Sequence, residues 1–377
     1  MDRIFIVAEI GVNHNGDVEM GKRLIEAAAR VGADAVKTQL FVADQMTSVN
    51  ARKAAYQIKA TGNSYGSGRG SRGRGGVSGG GGIGGSEGSG IGEDGSSDSG
   101  ISECGEESQL EMLKKLELSA DQYILLSEHA KHIGITLFAA PFDLSSVKTL
   151  QQLSCPIYKI PSGEITNLPL LLAIARTGAK KVLLSTGMST IDDIQAAIKV
   201  LTSSTPALPL TLLHCHTQYP TDYADANLRA METMRTATGL PVGFSDHTPG
   251  IEVAIAAAAL GAVVIEKHFT LDKTLPGPDH VASLEPDEFA LMVRSIRNVE
   301  NALGSGDKTP TRAEAENMII ARKSIVAARR IYAGEVFGED MLAAKRPGGG
   351  ISPMQWYDVI GKTAARDFVT DEQIDIP

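Results

Sequence analysis

Two lysines, Lys37 and Lys159, and two histidines, His247 and His268, stand inside otherwise apolar, β-branched runs of a 377-residue chain. An ammonium in such surroundings is costly to desolvate unless an anion accompanies it. Each lysine therefore requires a bound phosphate, a substrate carboxylate, or an internal partner such as Glu9, Glu164 or Glu266. Serines near the ends of the same kind of run, Ser162, Ser185 and Ser245, add neutral donors suited to phosphate oxygens. His247 and His268 fall on successive runs, and because adjacent strands lie about 4.8 Å apart, two imidazoles so placed can converge on one cation. With positions left open for water and substrate oxygens, such a pair suits Mn2+ or Mg2+ better than a closed zinc site. Alternation supports the grouping: Ser245 shares a strand face with His247, and Glu266 shares one with His268. Competing readings are hydrogen-bonded rim histidines, a structural lysine–carboxylate network, and a Schiff-base lysine of an aldolase.

These side chains need elements to hold them. Eight short runs, 4–10, 35–39, 135–141, 157–163, 181–187, 210–216, 241–247 and 263–269, read as strands. Segments with apolar spacing near three to four lie between them, among them 18–31, 168–177, 190–201, 227–238 and 251–260, and read as helices. A βα unit repeated eight times over about 300 residues is the arithmetic of a (β/α)8 TIM barrel, whose chemistry sits at the carboxyl ends of the strands. An open doubly wound sheet is the alternative, but its GxGxxG turn after the first strand is missing. The polar residues fall where the barrel requires: Glu9 with Asn13 and His14, Lys37, Asp143, Lys159 with Ser162 and Glu164, Ser185 with Thr186, His214 with His216 and Tyr219, and Ser245 through His247. Glu266 through His268 complete the rim. The expected layout is a barrel over 1–304, a linker over 305–320, and a small β-rich module over 321–377 whose own core would be marginal at that size.

Composition narrows the class. With 42% hydrophobic and 21% charged residues the chain can bury a substantial core. A formal net charge of −9 argues against a nucleic-acid binder, which needs clustered positive potential. No apolar run reaches the ~18 residues of a membrane span, and Met1-Asp2-Arg3 leads into a strand without a signal-peptide pattern, so a cytoplasmic location is expected. Cys104, Cys155 and Cys215 are odd in number and form no CxxC pair, so neither a disulfide framework nor a zinc knuckle is indicated. Of the 40 glycines, 18 fall in the 42 residues 64–105, after the second expected strand; that composition cannot bury enough apolar surface to order itself, and disorder is expected.

The motifs that carry these residues resemble the sialic acid synthase family. They are Ala8-Glu9-Ile10-Gly11-Val12-Asn13-His14-Asn15-Gly16, Val36-Lys37-Thr38-Gln39, Tyr158-Lys159-Ile160-Pro161-Ser162-Gly163-Glu164 and Leu184-Ser185-Thr186-Gly187-Met188. Later come Gly243-Phe244-Ser245-Asp246-His247-Thr248, Glu266-Lys267-His268-Phe269-Thr270 and Gly277-Pro278-Asp279-His280. The resemblance spans essentially the whole chain apart from 64–105, and 331–336 with 345–351 look like the antifreeze-like (SAF) domain of these synthases. It implies condensation of phosphoenolpyruvate with open-chain N-acetylmannosamine and water, with phosphate leaving by C–O cleavage. It also implies Mn2+ on His247 and His268, and phosphoenolpyruvate held by Lys37, Lys159, Ser162, Ser185 and Ser245. By the same resemblance Glu9 and Asp279 hold sugar hydroxyls, Glu164 handles a proton or water, and Tyr219 lines the sugar site. Arg346 would extend from the antifreeze-like module over the partner subunit's barrel, which implies a homodimer.

The chain departs from that pattern in places. Ala139-Ala140 replace hydroxyl residues before Pro141-Phe142, Cys215-His216-Thr217 stands where Cys-Thr-Asn is usual, so that Thr217 replaces an amide contact, and Ile320 replaces an aromatic. Legionaminic and pseudaminic acid synthases share the scaffold and differ in deoxy and acetamido groups at the far end of the sugar. Pro141-Phe142-Asp143 leans toward the N-acetylneuraminate group, and the expected activity is an N-acetylneuraminate synthase, with a 2,4-diacetamido or 6-phosphorylated sugar as alternatives. A Schiff-base lyase and a non-catalytic sugar-binding protein are the remaining readings.

Overall fold

The computed structural model describes residues 3–61, 107–203 and 205–376, so the glycine-rich stretch 64–105 lies outside the described residues. The chain divides into two compact units, Met1–Leu303 and Gly304–Pro377.

The first unit is a closed barrel of eight parallel strands in sequence order. They are β1 (Phe5–Gly11), β2 (Ala35–Leu40), β3 (Thr136–Pro141), β4 (Ile157–Ile160), β5 (Lys181–Ser185), β6 (Leu210–Cys215), β7 (Val242–Asp246) and β8 (Val264–His268). Strands covered on both faces read as nearly continuous apolar runs, and Ile6, Val7, Val36, Leu183, Leu212 and Ile265 are fully buried. β8 closes on β1, with Phe5 opposite Val264 and Glu9 opposite His268.

Local chemistry sets the helix ends. Asp17 caps the helix Val18–Arg30 by accepting from the Glu19 N–H. Ser119 with Gln122, and Thr190 with Asp193, form reciprocal capping boxes. Gly243 on β7 is required by close approach, since a Cβ there would lie 2.5 Å from the Val264 carbonyl oxygen on β8. The fourth expected strand is shorter than 157–163, because Pro161 has no N–H to continue the ladder, and Ser162–Glu164 turn as a 3-10 helix.

Alternation along β7 and β8 separates two buried charge systems. Ser245 and Glu266 are hydrogen-bonded to each other inside the barrel. The intervening Asp246 and Lys267 form a fully buried pair of their own, with Lys267 Nζ 2.7 Å from Asp246 Oδ2, and Asp246 also accepts from the Thr248 N–H and hydroxyl. Both had been grouped with the functional rim, yet neither lines the cavity described below. The period of two in a strand turns them away from the side of their neighbours.

The second unit has a core of Ile325, Ile331, Phe337, Leu342, Val359 and Phe368. An antiparallel pair, β9 (Ser324–Ala327) and β10 (Leu342–Lys345), crosses it. Most of the stretch expected as a linker is helix, Arg312–Ala321, started by a Thr311–Glu314 capping box.

Replacing Asp246 alone with Ala leaves the buried Lys267 ammonium with the Thr248 carbonyl but no counter-charge, and is expected to cost about 3–5 kcal/mol, seen as a lower urea midpoint. Asp246→Leu combined with Lys267→Met should recover most of that loss; a single variant as stable as the parent would show the pair to be dispensable.

Candidate active site

Strand register brings the chemistry-bearing side chains together. Glu9 on β1 is opposite Lys37 on β2 and His268 on β8, and Ser245 on β7 is opposite Glu266 on β8. Their side chains line a cavity of about 400 Å3 at the carboxyl ends of the strands, where barrel enzymes carry their chemistry.

Glu266 is the hub of this cavity. Its Oε1 accepts from Lys37 Nζ at 3.0 Å, Lys159 Nζ at 2.9 Å and Ser245 Oγ at 2.8 Å. Lys37 Nζ also lies 3.0 Å from Glu9 Oε2. Burial opposes the Glu266 charge, but Lys159 and Lys37 outweigh it and hold the carboxyl well below the usual range. Glu9 is pushed up to about 7, by burial first and by the Glu266 charge as well, against the pull of Lys37. Burial likewise raises Asp279 to about 6, opposed by Lys37. Glu266 thus stays ionised between two ammoniums, while Glu9 changes charge near pH 7 beside Lys37 and so tunes how well the site takes an anion. The Ser185 hydroxyl is buried without a hydrogen-bond partner among the described residues, as is Glu266 Oε2. A hydroxyl left so in a polar cavity is a donor awaiting an acceptor.

Beside this cradle stand the two imidazoles, ring centroids 5.3 Å apart. Tyr219 stacks on His247 at 4.1 Å and meets His268 edge-on at 5.5 Å. His247 Nδ1 lies 2.5 Å from the His216 carbonyl oxygen, which fixes the proton on that nitrogen and leaves Nε2 with its lone pair. Burial lowers His247 to about 3 and takes His268 well below its ordinary value, so both rings are neutral. His268 Nδ1 is buried without a hydrogen-bond partner, 3.9 Å from Asp279 Oδ2. Two neutral imidazoles, one with an orphaned nitrogen, fit a divalent cation.

The cavity gathers most of the residues expected from sequence. Glu9, Lys37, Lys159, Ser162, Ser185 and Ser245 line it, as do Thr217, Tyr219, His247, His268 and Asp279. Gly187 must be glycine for this packing, because a Cβ would lie 2.6 Å from Thr217 Cγ2 and 2.8 Å from Ser162 Oγ. Among the residues to which the family resemblance gives a role, Glu164 and Arg346 stand elsewhere, and of the wider expected rim Asn13, His14, Thr186, His214 and His216 do not line the cavity. Glu164 lies on the turn whose Ser162 and Gly163 line the cavity, but its own side chain is outside the lining, with Oε2 accepting from Asn167 Nδ2 at 2.6 Å. Arg346 is exposed and belongs to the second unit. Asp143 also lies outside the lining: it caps the helix Leu144–Gln152 and accepts from the Val42 and Ser146 N–H groups. Of the Pro141-Phe142-Asp143 motif only Phe142 lines the cavity, so Asp143 does not touch a sugar bound there directly.

Sequence reasoning missed Gln39, Tyr56, Gln57, Gln109 and Met112, which also line the cavity. Gln39 was detectable, since it shares the alternation of Lys37 on β2. Tyr56 and Gln57 lie on a short helix, Ala55–Thr61, whose place over the barrel leaves no local signal.

Comparison with known proteins agrees with this geometry. A NeuB family model matches residues 24–69 and 94–308. The chain belongs to the NeuB family. A SAF domain model matches 322–376, so this NeuB-family barrel is followed by an antifreeze-like domain. An N,N'-diacetyllegionaminic acid synthase of Campylobacter jejuni is 44% identical, covering 99% of each chain. The N-acetylneuraminate-9-phosphate synthase of Mus musculus is 34% identical over 98% of this chain and 91% of its own. Among solved structures, the N-acetylneuraminic acid synthetase of Leptospira borgpetersenii superposes with a TM-score of 0.65 at 30% identity, covering 84% of this chain and 90% of its own. The protein is thus a member of the sialic, legionaminic and pseudaminic acid synthase family.

The Glu9 carboxyl titrates near 7 in the folded protein, above its ordinary 4.5, so raising pH through about 7 adds a negative charge beside Lys37. Affinity for sulfate, which does not itself titrate in this range, should fall across that pH by calorimetry. Glu9→Gln should remove the inflection. The same shift means that the folded state keeps a proton the unfolded chain has released, so this carboxyl's contribution to stability declines between pH 4.5 and 7.

Proposed function

We propose that the protein condenses phosphoenolpyruvate with the aldehyde of a 2,4-diacetamido sugar and water, giving an N,N'-diacetyllegionaminic-type keto acid and inorganic phosphate. The observation that carries this reading is the pair of ammoniums, Lys37 and Lys159, meeting on Glu266 beside the two neutral imidazoles. An anion cradle next to an imidazole pair is what joining an enol phosphate to an aldehyde requires. The full-length likeness to a legionaminic acid synthase supports the diacetamido sugar over N-acetylmannosamine.

In this reading Lys37, Lys159, Ser162, Ser185 and Ser245 bind the carboxylate and phosphate of phosphoenolpyruvate. Glu9 and Asp279, both raised by burial, hold sugar hydroxyls, while Tyr219 and Thr217 shape the sugar's path. A Mn2+ or Mg2+ ion held by His247 and His268 would supply Lewis-acid polarisation of the aldehyde oxygen. Carbon 3 of phosphoenolpyruvate bonds to the aldehyde carbon, whose oxygen takes a proton as it becomes a hydroxyl. Water gives its hydroxide to carbon 2, and the C–O bond to phosphate then breaks to leave the ketone. The proton transfer from water is assigned to Glu164, which burial raises; its carboxylate, held here by Asn167 beside the cavity-lining turn, would have to swing into the cavity to act. The protein acts as a homodimer in which Arg346 approaches the acetamido group in the partner's barrel.

Incubation with phosphoenolpyruvate, Mn2+ and, in turn, the 2,4-diacetamido sugar, N-acetylmannosamine and its 6-phosphate should release phosphate and form a nine-carbon keto acid, most efficiently with the first. Mass spectrometry identifies the product; no product from any of the three overturns the reading. EDTA and His247→Ala should each abolish turnover, and Glu164→Gln should lower kcat by about 100-fold or more while phosphoenolpyruvate affinity holds.

A further inference from the structure

The cavity has two chemically different sides. Strand ends build the side that holds the lysines and imidazoles. Three helices from the long connection between β2 and β3 build the other: Ala43–Met46 gives Met46, Ala55–Thr61 gives Tyr56 and Gln57, and Gln109–Leu116 gives Gln109, Met112 and Leu116. A run of stacked rings joins the two sides. Tyr219 stacks on His247 at 4.1 Å, and Tyr56 stacks on Tyr219 at 5.0 Å with 30° between the planes. A sugar whose aldehyde lies at the imidazoles extends along these rings and brings its far end to the helical wall.

The wall offers a defined set of groups. Gln57 is 9% exposed, and its Oε1 accepts from the Ala54 N–H at 2.9 Å; its side chain also pairs with the Tyr56 phenol, so the carboxamide is oriented beside that ring, and its NH2 has two N–H groups to offer. Burial, helped by the Asp279 charge, raises the Tyr56 phenol far above its ordinary range and keeps it a donor. Gln109 adds a second carboxamide to the lining. Between them lie the thioethers of Met46 and Met112 and the Leu116 side chain, the last two buried in a small apolar cluster separate from the barrel core. Such surfaces accept a methyl group and penalise a hydroxyl that finds no partner there. An acetamido group has a carbonyl for the amide and phenol donors and a methyl for the thioethers, and a deoxy carbon suits the same apolar patch.

We propose that Tyr56, Gln57 and Met112 determine sugar specificity, selecting a far end that carries a second acetamido group and a deoxy methyl over one that carries only hydroxyls. The capping box of Ser108 and Glu111 fixes the direction of the Gln109–Leu116 helix, and Lys114 ties it to Asp44 at 2.8 Å, so the wall is a packed element with its own anchors. This inference rests on the condensation proposed above and assigns its specificity to residues outside the strand-end machinery.

The test compares kcat/KM for the 2,4-diacetamido deoxy sugar with that for N-acetylmannosamine, in the full-length parent and in Gln57→Leu, Tyr56→Phe and Met112→Gln. Each substitution should lower the ratio of the two by about tenfold, the cost of one lost polar contact or of one polar group set against a methyl. Tyr56→Phe keeps the ring stack and so separates the loss of the hydroxyl from any loss of packing. A parent that turns over the diacetamido sugar, with ratios unchanged in all three variants, overturns this inference and leaves the proposed reaction standing. A parent that turns over neither sugar overturns both.

Discussion

Two ammoniums share one carboxylate oxygen at the heart of the barrel, and the arrangement of the site follows from that contact. Lys37, Lys159 and Glu266 are all at least nine-tenths buried and come from β2, β4 and β8. None could be desolvated alone at tolerable cost. Because the partners sit on strands far apart in the chain, the clamp exists only when the barrel is closed in its correct register. A slip of one residue on β8 would turn Glu266 away and put Lys267 in its place, a third cation facing two.

The clamp also sets the charge state of its surroundings. With Glu266 committed to the lysines, burial raises Glu9 to about 7 and Asp279 to about 6. The imidazoles lose their protons for the same reason. Burial that would be a burden elsewhere leaves here two neutral imidazoles, two raised carboxyls and a Ser185 hydroxyl with no hydrogen-bond partner among the described residues. The buried lysines and the neutral imidazole pair thus stand in adjacent parts of one enclosure, the arrangement on which the proposed joining of an enol phosphate to an aldehyde rests.

The barrel supplies the shared chemistry, and the connection after β2 supplies the variable wall. Its helices pack through a cluster of Val12, Phe41, Leu110, Met112, Leu113 and Leu116, distinct from the main core. A wall with a core of its own can change composition without disturbing the strand register on which the clamp depends. That separation suits a family whose named relatives make legionaminic, pseudaminic and N-acetylneuraminic-type acids on one scaffold.

The amino-acid sequence by itself determined the eight strands, their polar carboxyl ends and the grouping of Ser245 with His247 and of Glu266 with His268. These are matters of local periodicity, and a period of two states which residues share a face whatever surrounds them. It did not separate Asp246 and Lys267 from the rim, because facing is relative until the closed sheet defines an interior. Nor did it show that Asp143 caps a helix, that Glu164 turns to Asn167, or that Tyr56 and Gln57 complete the cavity. Each depends on which element lies over which, a long-range packing choice with no local signature. Tertiary structure also showed that the lysines form a buried network with Glu266 and Glu9, which makes their burial tolerable and which no local pattern in the sequence specifies.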